Sequence, residues 1–255
     1  MNSARATDWS SAPAYVWDGT AARSIDAIIA PPLELLSGID AQKERVLANV
    51  SRHAQGIAAH DILLWGSRGM GKSALIRSAV AHLGAGKLAL VQLSADRLES
   101  LPALFVELRD IDRRFWLFVD DLGFAPGDLA GPRRLRSLLE GGVEARPENI
   151  RLGVTTNHRS ILPRELDSGH SPRHERDAAD DELALADRFG LVLGFHACDQ
   201  DTYLGIVAGY AQYFGLDITP EGALLWAKQR GARSGRVAWQ FIVESAGREG
   251  MRLPG

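Results

Sequence analysis

Hydrophobic and polar positions follow two different patterns along the chain. Between residues 62 and 195, short apolar runs alternate with segments of helical spacing, which is typical of an α/β fold with a parallel sheet. Beyond Cys198 only helical spacing remains, and it predicts three helices at Gln200–Phe214, Pro220–Arg230 and Gly235–Arg248. The pattern therefore predicts an α/β core at residues 33–197 and a small all-helical lid at residues 198–255.

Residues 1–32 differ from the core, because they are rich in Ala, Ser and Pro and end at Pro31-Pro32. Tyr15 and Trp17 are the only obvious apolar anchors in this stretch. We therefore expect a loosely attached N-terminal arm with one apolar hook. A turn at Gly38 and then a helix follow, with Asp40 as a plausible N-cap.

The strands of the sheet are predicted from apolar runs at 62–65, 87–93, 115–122 and 151–156, and at the end of 183–195. The run at 115–122 is the most continuously apolar, which favours a central strand covered on both faces.

A helix is predicted at 131–141, opened by Pro132 and ended by Gly141-Gly142. The stretch 158–181 is rich in Pro, His and charged residues and predicts a long exposed loop.

A glycine-rich turn joins the strand at 62–65 to the helix predicted at 74–82. This turn and the residue after it are Gly66, Ser67, Arg68, Gly69, Met70, Gly71, Lys72, Ser73 and Ala74. Both the spacing and the strand-to-helix context match a P-loop (Walker A), in which backbone N–H groups hold phosphates, lysine reaches the β and γ oxygens and serine holds Mg²⁺. The alternative, a turn that merely joins the two elements, requires neither Lys72 nor Ser73. The sequence therefore predicts nucleotide binding at 66–74.

Two carboxylates close the central apolar run, and an amide closes the following strand. Asp120 is predicted to hold Mg²⁺ through water, Asp121 to orient or deprotonate the attacking water, and Asn157 to contact that water or the γ-phosphate. The alternatives are that the two aspartates cap the next turn and that Asn157 is a turn-forming residue. Many related arrangements carry glutamate in place of Asp121, which is one methylene shorter, so slow hydrolysis is expected.

Three further residues have a functional and a structural interpretation. Ile39 can line the adenine, although core packing explains it equally well. Arg188 can reach the nucleotide of a neighbouring subunit, whereas the alternative is a pair with Asp187 or a helix cap. Arg236 falls in the first turn of a helix that Ser234 can cap, where a cation opposes the helix dipole. A role at the phosphates is therefore predicted for Arg236, and a solvated surface arginine is the alternative.

Composition narrows the class of protein without identifying a partner. The 255 residues are 45% hydrophobic and 24% charged, with a net charge of −3, which is typical of a globular protein and gives no indication of a polyanionic partner. The single cysteine, Cys198, excludes an internal disulfide and favours a reducing compartment. Residues 1–11 lack a signal-peptide pattern, and no run is long enough to span a bilayer. A cytoplasmic location with no membrane partner is therefore expected.

These motifs, in this order and followed by a helical lid, resemble those of the AAA+ ATPases. The Asp-Arg-Phe-Gly-Leu stretch at 187–191 is similar to the arginine-finger region of bacterial replication initiators. A closer resemblance, covering roughly residues 33–248, is to the bacterial ATPases catalogued as domain-of-unknown-function family 815. Four segments carry it: S-G-I-D-A-Q-K, L-L-W-G-S-R-G-M-G-K-S, L-L-E-G-G-V-E-A-R-P-E-N and R-S-G-R-V-A-W-Q-F.

The resemblance implies an AAA+ core with a five-stranded parallel sheet in the order 5-1-4-3-2, with ATP and Mg²⁺ as ligands. It also implies hydrolysis completed between subunits, with Arg188 acting in trans in a homo-oligomer. It does not identify a client, whether protein or nucleic acid. Two rival functions stay open: a nucleotide-gated binding module, similar to helicase loaders, in which occupancy matters more than turnover, and a P-loop kinase with a small acceptor.

Overall fold

The computed structural model describes residues 7–84, 86–123, 135–137, 139, 146–157 and 186–253. The strands are β1 (Ala14–Trp17), β2 (Ala22–Ile25), β3 (Ile62–Gly66), β4 (Leu88–Leu93), β5 (Arg114–Val119), β6 (Ile150–Thr156) and β7 (Leu191–Phe195). The helices are α1 (Asp40–Ala54), α2 (Lys72–Leu83), α3 (Leu101–Leu108), α4 (Gln200–Phe214), α5 (Pro220–Arg230) and α6 (Gly235–Arg248), with 3₁₀ turns at Leu33–Leu35 and Ala95–Ser100. Most of the helix predicted at 131–141 and all of the loop predicted at 158–181 lie outside the described residues.

One mixed sheet contains all seven of these strands in the order β2-β1-β4-β5-β6-β3-β7. Strands β3 to β7 pair with one another in parallel, and β1 is parallel to β4 and antiparallel to β2. The α/β class predicted from the alternating pattern is confirmed. Strand β5 lies between β4 and β6 and is buried from residue 115 to residue 119, so the prediction of a central strand is also confirmed.

The sheet has seven strands rather than the predicted five, and the N-terminal segment is not a loosely attached arm. The five strands of the core lie in the order β7-β3-β6-β5-β4, which is 5-1-4-3-2 when they are numbered along the chain. Residues 14–25 form a β-hairpin that extends the sheet beyond β4. Tyr15 and Trp17 are only 0% and 2% exposed. The indole N–H of Trp17 donates to Ser100 Oγ at 2.7 Å, and Arg113 Nη1 donates to the Trp9 carbonyl oxygen at 2.9 Å. The hairpin is thus held by the core, through partners that are distant in sequence.

Alternation along β5 separates the apolar layers on the two faces of the sheet. Phe115, Leu117 and Val119 pack with α3 and the N-terminal segment on one face. Trp116 and Phe118 pack with α1 and α2 on the other. The end of β5 is therefore fixed from both sides, which positions the carboxylates that follow it.

Helices α4 to α6 have a third apolar core of their own. Their bounds confirm the predicted helices, and the predicted cap of α6 is present, because Ser234 Oγ accepts from the Val237 N–H at 3.3 Å. Asp40 is the first residue of α1 rather than its cap; Ile39 holds the cap position and makes no side-chain cap bond. Over the described ranges, we find no helix with the length and apolarity that a bilayer crossing requires.

Candidate functional site

The turn between β3 and α2 depends on glycine at three positions. Gly66, Gly69 and Gly71 have φ values of 119°, 74° and 88°, in a region that residues with a Cβ rarely adopt. A Cβ on Gly66 would lie 2.1 Å from the carbonyl oxygen of Phe195, and one on Gly69 would lie 2.9 Å from Ser234 Oγ. The end of β7 and the start of α6 therefore approach this backbone closely. The turn leads into α2, whose first turn contains no acidic residue and so favours an anion at its N-terminus.

Lys72 is held inside this turn. Its side chain is 6% exposed, and Nζ donates to the carbonyl oxygens of Gly66 at 2.8 Å and Ser67 at 2.9 Å and to Asn157 Oδ1 at 3.1 Å. Burial lowers the pKa of Lys72, while the carboxylates that follow β5 partly oppose that shift. The lysine thus connects the glycine-rich turn to Asn157, which follows β6.

The carboxylates after β5 are fixed by hydroxyl groups from two other elements. Ser73 Oγ donates to Asp120 Oδ1 at 2.5 Å, and Thr155 Oγ1 donates to the same oxygen at 2.6 Å. The backbone N–H of Asp121 donates to Thr155 Oγ1 at 2.8 Å, and the side-chain amide of Asn157 donates to the Asp121 carboxylate. Asp121 has a φ of 52°, unusual for a residue other than glycine, which places backbone strain beside the cluster.

A cavity of about 970 Å³ opens over these groups. It brings together most of the residues predicted from the sequence: Ile39, Gly69, Met70, Gly71, Lys72, Ser73, Ala74, Asp120, Asp121, Asn157 and Arg236. Another part of the lining includes residues 29–32 and aromatic side chains from α4 and α6: Tyr210, Tyr213, Phe214 and Trp239. The cavity thus combines acidic, hydrogen-bonded groups with an apolar, largely aromatic surface.

The first turn of α6 lies directly against the P-loop. The Arg236 backbone N–H donates to the Gly69 carbonyl oxygen at 3.0 Å. A Cβ added to Gly235 would lie 3.1 Å from that same oxygen. The Arg236 side chain is exposed, lines the cavity and is one of the cations that lower the pKa of Lys72. The start of α6 therefore contacts the glycine-rich turn through backbone atoms.

Some predicted residues lie elsewhere. Gly66 and Ser67 contact Lys72 but are not part of the cavity wall, and Arg68 is exposed and lowers the pKa of Lys72. Arg188 is exposed and does not line the cavity. Ile39 is 5% exposed and belongs to the core as well as to the cavity wall, so core packing is confirmed and contact with an adenine stays a prediction.

Sequence reasoning missed Thr155 and Arg77, both of which line the cavity. Thr155 lies two residues before Asn157 in β6, and threonine is so common in strands that its type alone gives no signal. For Arg77 a signal existed, because it follows Ser73 by four residues in a predicted helix and therefore shares its face.

The donors present fit a nucleoside triphosphate with Mg²⁺. Backbone N–H groups and Lys72 suit phosphate oxygens, and Ser73 and Asp120 offer the oxygen ligands that Mg²⁺ prefers. Within the described ranges, no three His, Cys, Asp or Glu side chains are grouped to hold a metal. Mg²⁺ usually keeps water and phosphate ligands and needs only one or two protein groups, so the small donor set is suitable.

The fold and the glycine-rich turn together define an α/β protein with a P-loop-type strand-turn-helix arrangement. A RuvB variant from Thermotoga maritima has a TM-score of 0.56 at 19% identity, covering 87% of this chain and 67% of its own. A second RuvB variant from that organism has a TM-score of 0.54 at 19% identity, covering 84% and 65%. Orc1 from Aeropyrum pernix, solved in complex with DNA, has a TM-score of 0.58 at 16% identity, covering 88% and 66%. The chain thus spans about two thirds of the length of these proteins, and the likeness shows the fold alone.

The family model described as "Protein of unknown function (DUF815)" matches residues 10–249, and the chain belongs to this family. The resemblance seen in the sequence is thereby confirmed, and the match also includes the N-terminal hairpin. No curated protein matches the chain.

Proposed function

We propose that this protein binds ATP with Mg²⁺ and hydrolyses the ATP. The observation that carries this proposal is the 2.5 Å hydrogen bond between Ser73 and Asp120, beside the buried ammonium group of Lys72 and within one cavity. P-loop NTPases hold a metal-bound triphosphate with groups of this kind. The amides of residues 69–73 and Lys72 bind the phosphates, and Ser73 with Asp120 holds the metal. When bound, Mg²⁺ neutralises negative charge on the phosphate oxygens.

The residues next to this cluster have the chemistry to act on water. Asp121 orients or deprotonates the attacking water, and Asn157 fixes Asp121 while also contacting Lys72. A single amide thus links phosphate binding to water activation. Ile39 contributes to the surface that receives the base.

We also propose that residues 198–255 act as a lid on the core at 33–197. Arg236 extends from α6 into the cavity, and its backbone N–H is bonded to the P-loop at Gly69. A nucleotide that occupies the P-loop therefore acts on the first turn of α6. In this proposal, movement of the lid is how occupancy is signalled to a client, which is unidentified and is either a protein or a nucleic acid. The proposed location is the cytoplasm.

One observation favours a second function, a nucleotide-gated binding module with little turnover. The carboxylate of Asp121 already accepts a hydrogen bond from Asn157, and aspartate reaches less far than glutamate toward an attacking water. Tight ATP binding with negligible hydrolysis at high protein concentration would support this switch and exclude the ATPase.

Phosphate release from wild type, Lys72→Ala and Asp121→Asn tests the proposal. We expect turnover by wild type, none by Lys72→Ala, and a rate at least about a hundredfold lower for Asp121→Asn with ATP binding retained, because a general base contributes roughly 10² to 10⁴ in rate. If all three proteins release phosphate at the background rate, the enzyme assignment is wrong. The Asp121→Asn variant would also serve to capture a client from cell extract.

Arg188 extends the proposal to a homo-oligomer. It is exposed and lies outside the cavity of its own chain, as expected of a residue that reaches a neighbouring subunit. Specific activity should then rise with protein concentration. Arg188→Ala should lower the rate by roughly 10³ or more without weakening ATP binding, since a finger in trans contributes roughly 10³ to 10⁵. Activity that is independent of concentration would remove Arg188 from the mechanism.

A further inference from the structure

Arg77 is a cavity residue to which the roles above assign nothing. It lies on α2, one turn beyond Ser73, and residues four apart share a helix face. It lines the same cavity as Lys72 and Asp120. Long side chains on a helix lean toward its N-terminus, and the N-terminus of α2 is the end that follows the P-loop.

The guanidinium group of Arg77 has no anionic partner in the described part of the chain. Its Nε is buried and makes no hydrogen bond. Other arginines are paired there: Arg146 lies 2.8 Å from an Asp61 oxygen, and Arg248 lies 2.8 Å from a Glu244 oxygen. A half-buried guanidinium group without an anion carries a desolvation cost, which an anionic ligand in the cavity would offset.

The position of Arg77 along α2 selects the part of the nucleotide that it contacts. Ser73 and Asp120 mark the end of the cavity for the metal and the terminal phosphates. Residues 29–32 are apolar, line the same cavity and are attached to α2 further along the helix, where Ser78 Oγ donates to the Pro31 carbonyl oxygen at 2.7 Å. This apolar segment suits the nucleoside, so the phosphate nearest the nucleoside is expected between Ser73 and residues 29–32.

We propose that Arg77 donates hydrogen bonds to the α-phosphate oxygens of the bound nucleotide. This inference rests on the proposed ATP site and adds a cationic contact that ATP and ADP share. A bidentate guanidinium contact to phosphate is among the strongest hydrogen-bonding arrangements in proteins.

Calorimetric affinities of the full chain for ATP and for ADP, each with Mg²⁺, test the assignment. Arg77→Gln should weaken both nucleotides by the same factor, about tenfold or more, because hydrogen bonds to charged groups contribute about that much. Arg77→Lys should weaken both by less, since it keeps the charge but loses the planar fork. Arg45→Gln is the matched control: Arg45 is exposed on α1 and outside the cavity, so wild-type affinity is expected.

Each remaining outcome has a defined meaning. Wild-type affinity in both Arg77 variants would contradict the inference. A loss of affinity for ATP alone would also contradict it, because it would place the contact at the terminal phosphate. If thermal unfolding shows that Arg77→Gln is not folded, Arg77→Lys decides by the same criteria. If wild type binds neither nucleotide, the proposed function fails as well. If wild type binds them, Lys72→Ala does not and the Arg77 variants bind normally, only the inference about Arg77 is wrong.

Discussion

The two walls of the cavity are built in different ways. The wall at the end of the sheet is tied together by side-chain hydrogen bonds between elements, including those from Ser73 and Thr155 to the one oxygen of Asp120. The wall from α4 and α6 is aromatic: the ring centroids of Tyr210 and Trp239 are 5.2 Å apart. It contacts the P-loop through the backbone at the start of α6.

In the proposed function, the wall at the end of the sheet binds and hydrolyses ATP, and the aromatic wall transmits the state of the site. Charged groups are costly to place unless neighbouring elements fix them, and the parallel sheet does so by ending β3, β5 and β6 at one edge. Apolar contacts are less directional, so the aromatic wall can shift against a ligand while its own core stays intact. Substitutions that remove polar groups from the wall at the end of the sheet should therefore abolish ATP binding. Substitutions at the contact between α6 and the P-loop should instead change how ATP binding affects the C-terminal helices.

The largest expected effect comes from the sheet wall. Lys72→Ala should weaken ATP binding by about a thousandfold, because it removes charge-assisted hydrogen bonds to two phosphates. Lys87→Ala is the matched control, since Lys87 is exposed just before β4 and outside the cavity. Calorimetric titration with ATP and Mg²⁺ measures both. Equal affinities in the two variants would show that the P-loop lysine does not contact the nucleotide.

The stability of the fold should decrease at acidic pH because of His53, which packs against the sheet. This side chain is 2% exposed, its Nε2 lies 3.1 Å from the Phe115 carbonyl oxygen of β5, and burial lowers the pKa of His53 to about 4. The unfolded chain, in which the pKa of histidine is about 6.5, binds the proton first as the pH falls. Stability present above about pH 6.5 is therefore lost as the pH falls toward about 4, by at most about 3 kcal/mol.

Urea unfolding at about pH 7 and about pH 4.5, for wild type and His53→Gln, measures this contribution. Glutamine keeps a donor for the Phe115 carbonyl but does not titrate, so the loss of stability between the two pH values should be smaller in the variant. Carboxylates titrate in both proteins and cancel in the comparison. The same loss in both would show that His53 is not the group responsible.

The smallest expected effect is on the contact between the walls. Gly235 lies at the start of α6, where a Cβ would sit 3.1 Å from the Gly69 carbonyl oxygen, whereas a Cβ on Gly247 in the same helix would meet nothing within 4 Å. Gly247→Ala should stabilise the protein by about 0.4–1 kcal/mol. Gly235→Ala should lose that gain and change ATP affinity by roughly fivefold, because it pushes α6 from the P-loop.

Thermal unfolding and ATP titration of the two variants give the comparison directly. A selective change of affinity in Gly235→Ala supports coupling through the first turn of α6. Identical behaviour of the two alanine variants would mean that this contact transmits nothing.

The sheet wall was largely predictable because its signals are local. The P-loop spacing identifies residues 66–73, and the rule that parallel strands end at one edge brings Asp120 and Asn157 to them. The hairpin at 14–25 was not predictable, since its two four-residue strands are stabilised by β4 and by core partners far along the chain.

The aromatic wall was predictable only as a helix face. The spacing predicts α4 itself, but the cavity that Tyr210 and Phe214 line also requires the contact between the start of α6 and the P-loop. Such docking depends on tertiary contacts, such as the close approach of Gly235 to Gly69, that leave no periodic signal in the sequence.

The most direct test of the metal-nucleotide site is a crystal structure grown with a non-hydrolysable ATP analogue and Mn²⁺, in which anomalous scattering locates the metal. We expect the peak next to Ser73 Oγ, with the Asp120 carboxylate reaching it through water and the phosphates within hydrogen-bonding distance of Lys72 Nζ. A nucleotide bound outside this cavity, or a metal remote from both Ser73 and Asp120, would contradict the proposed site.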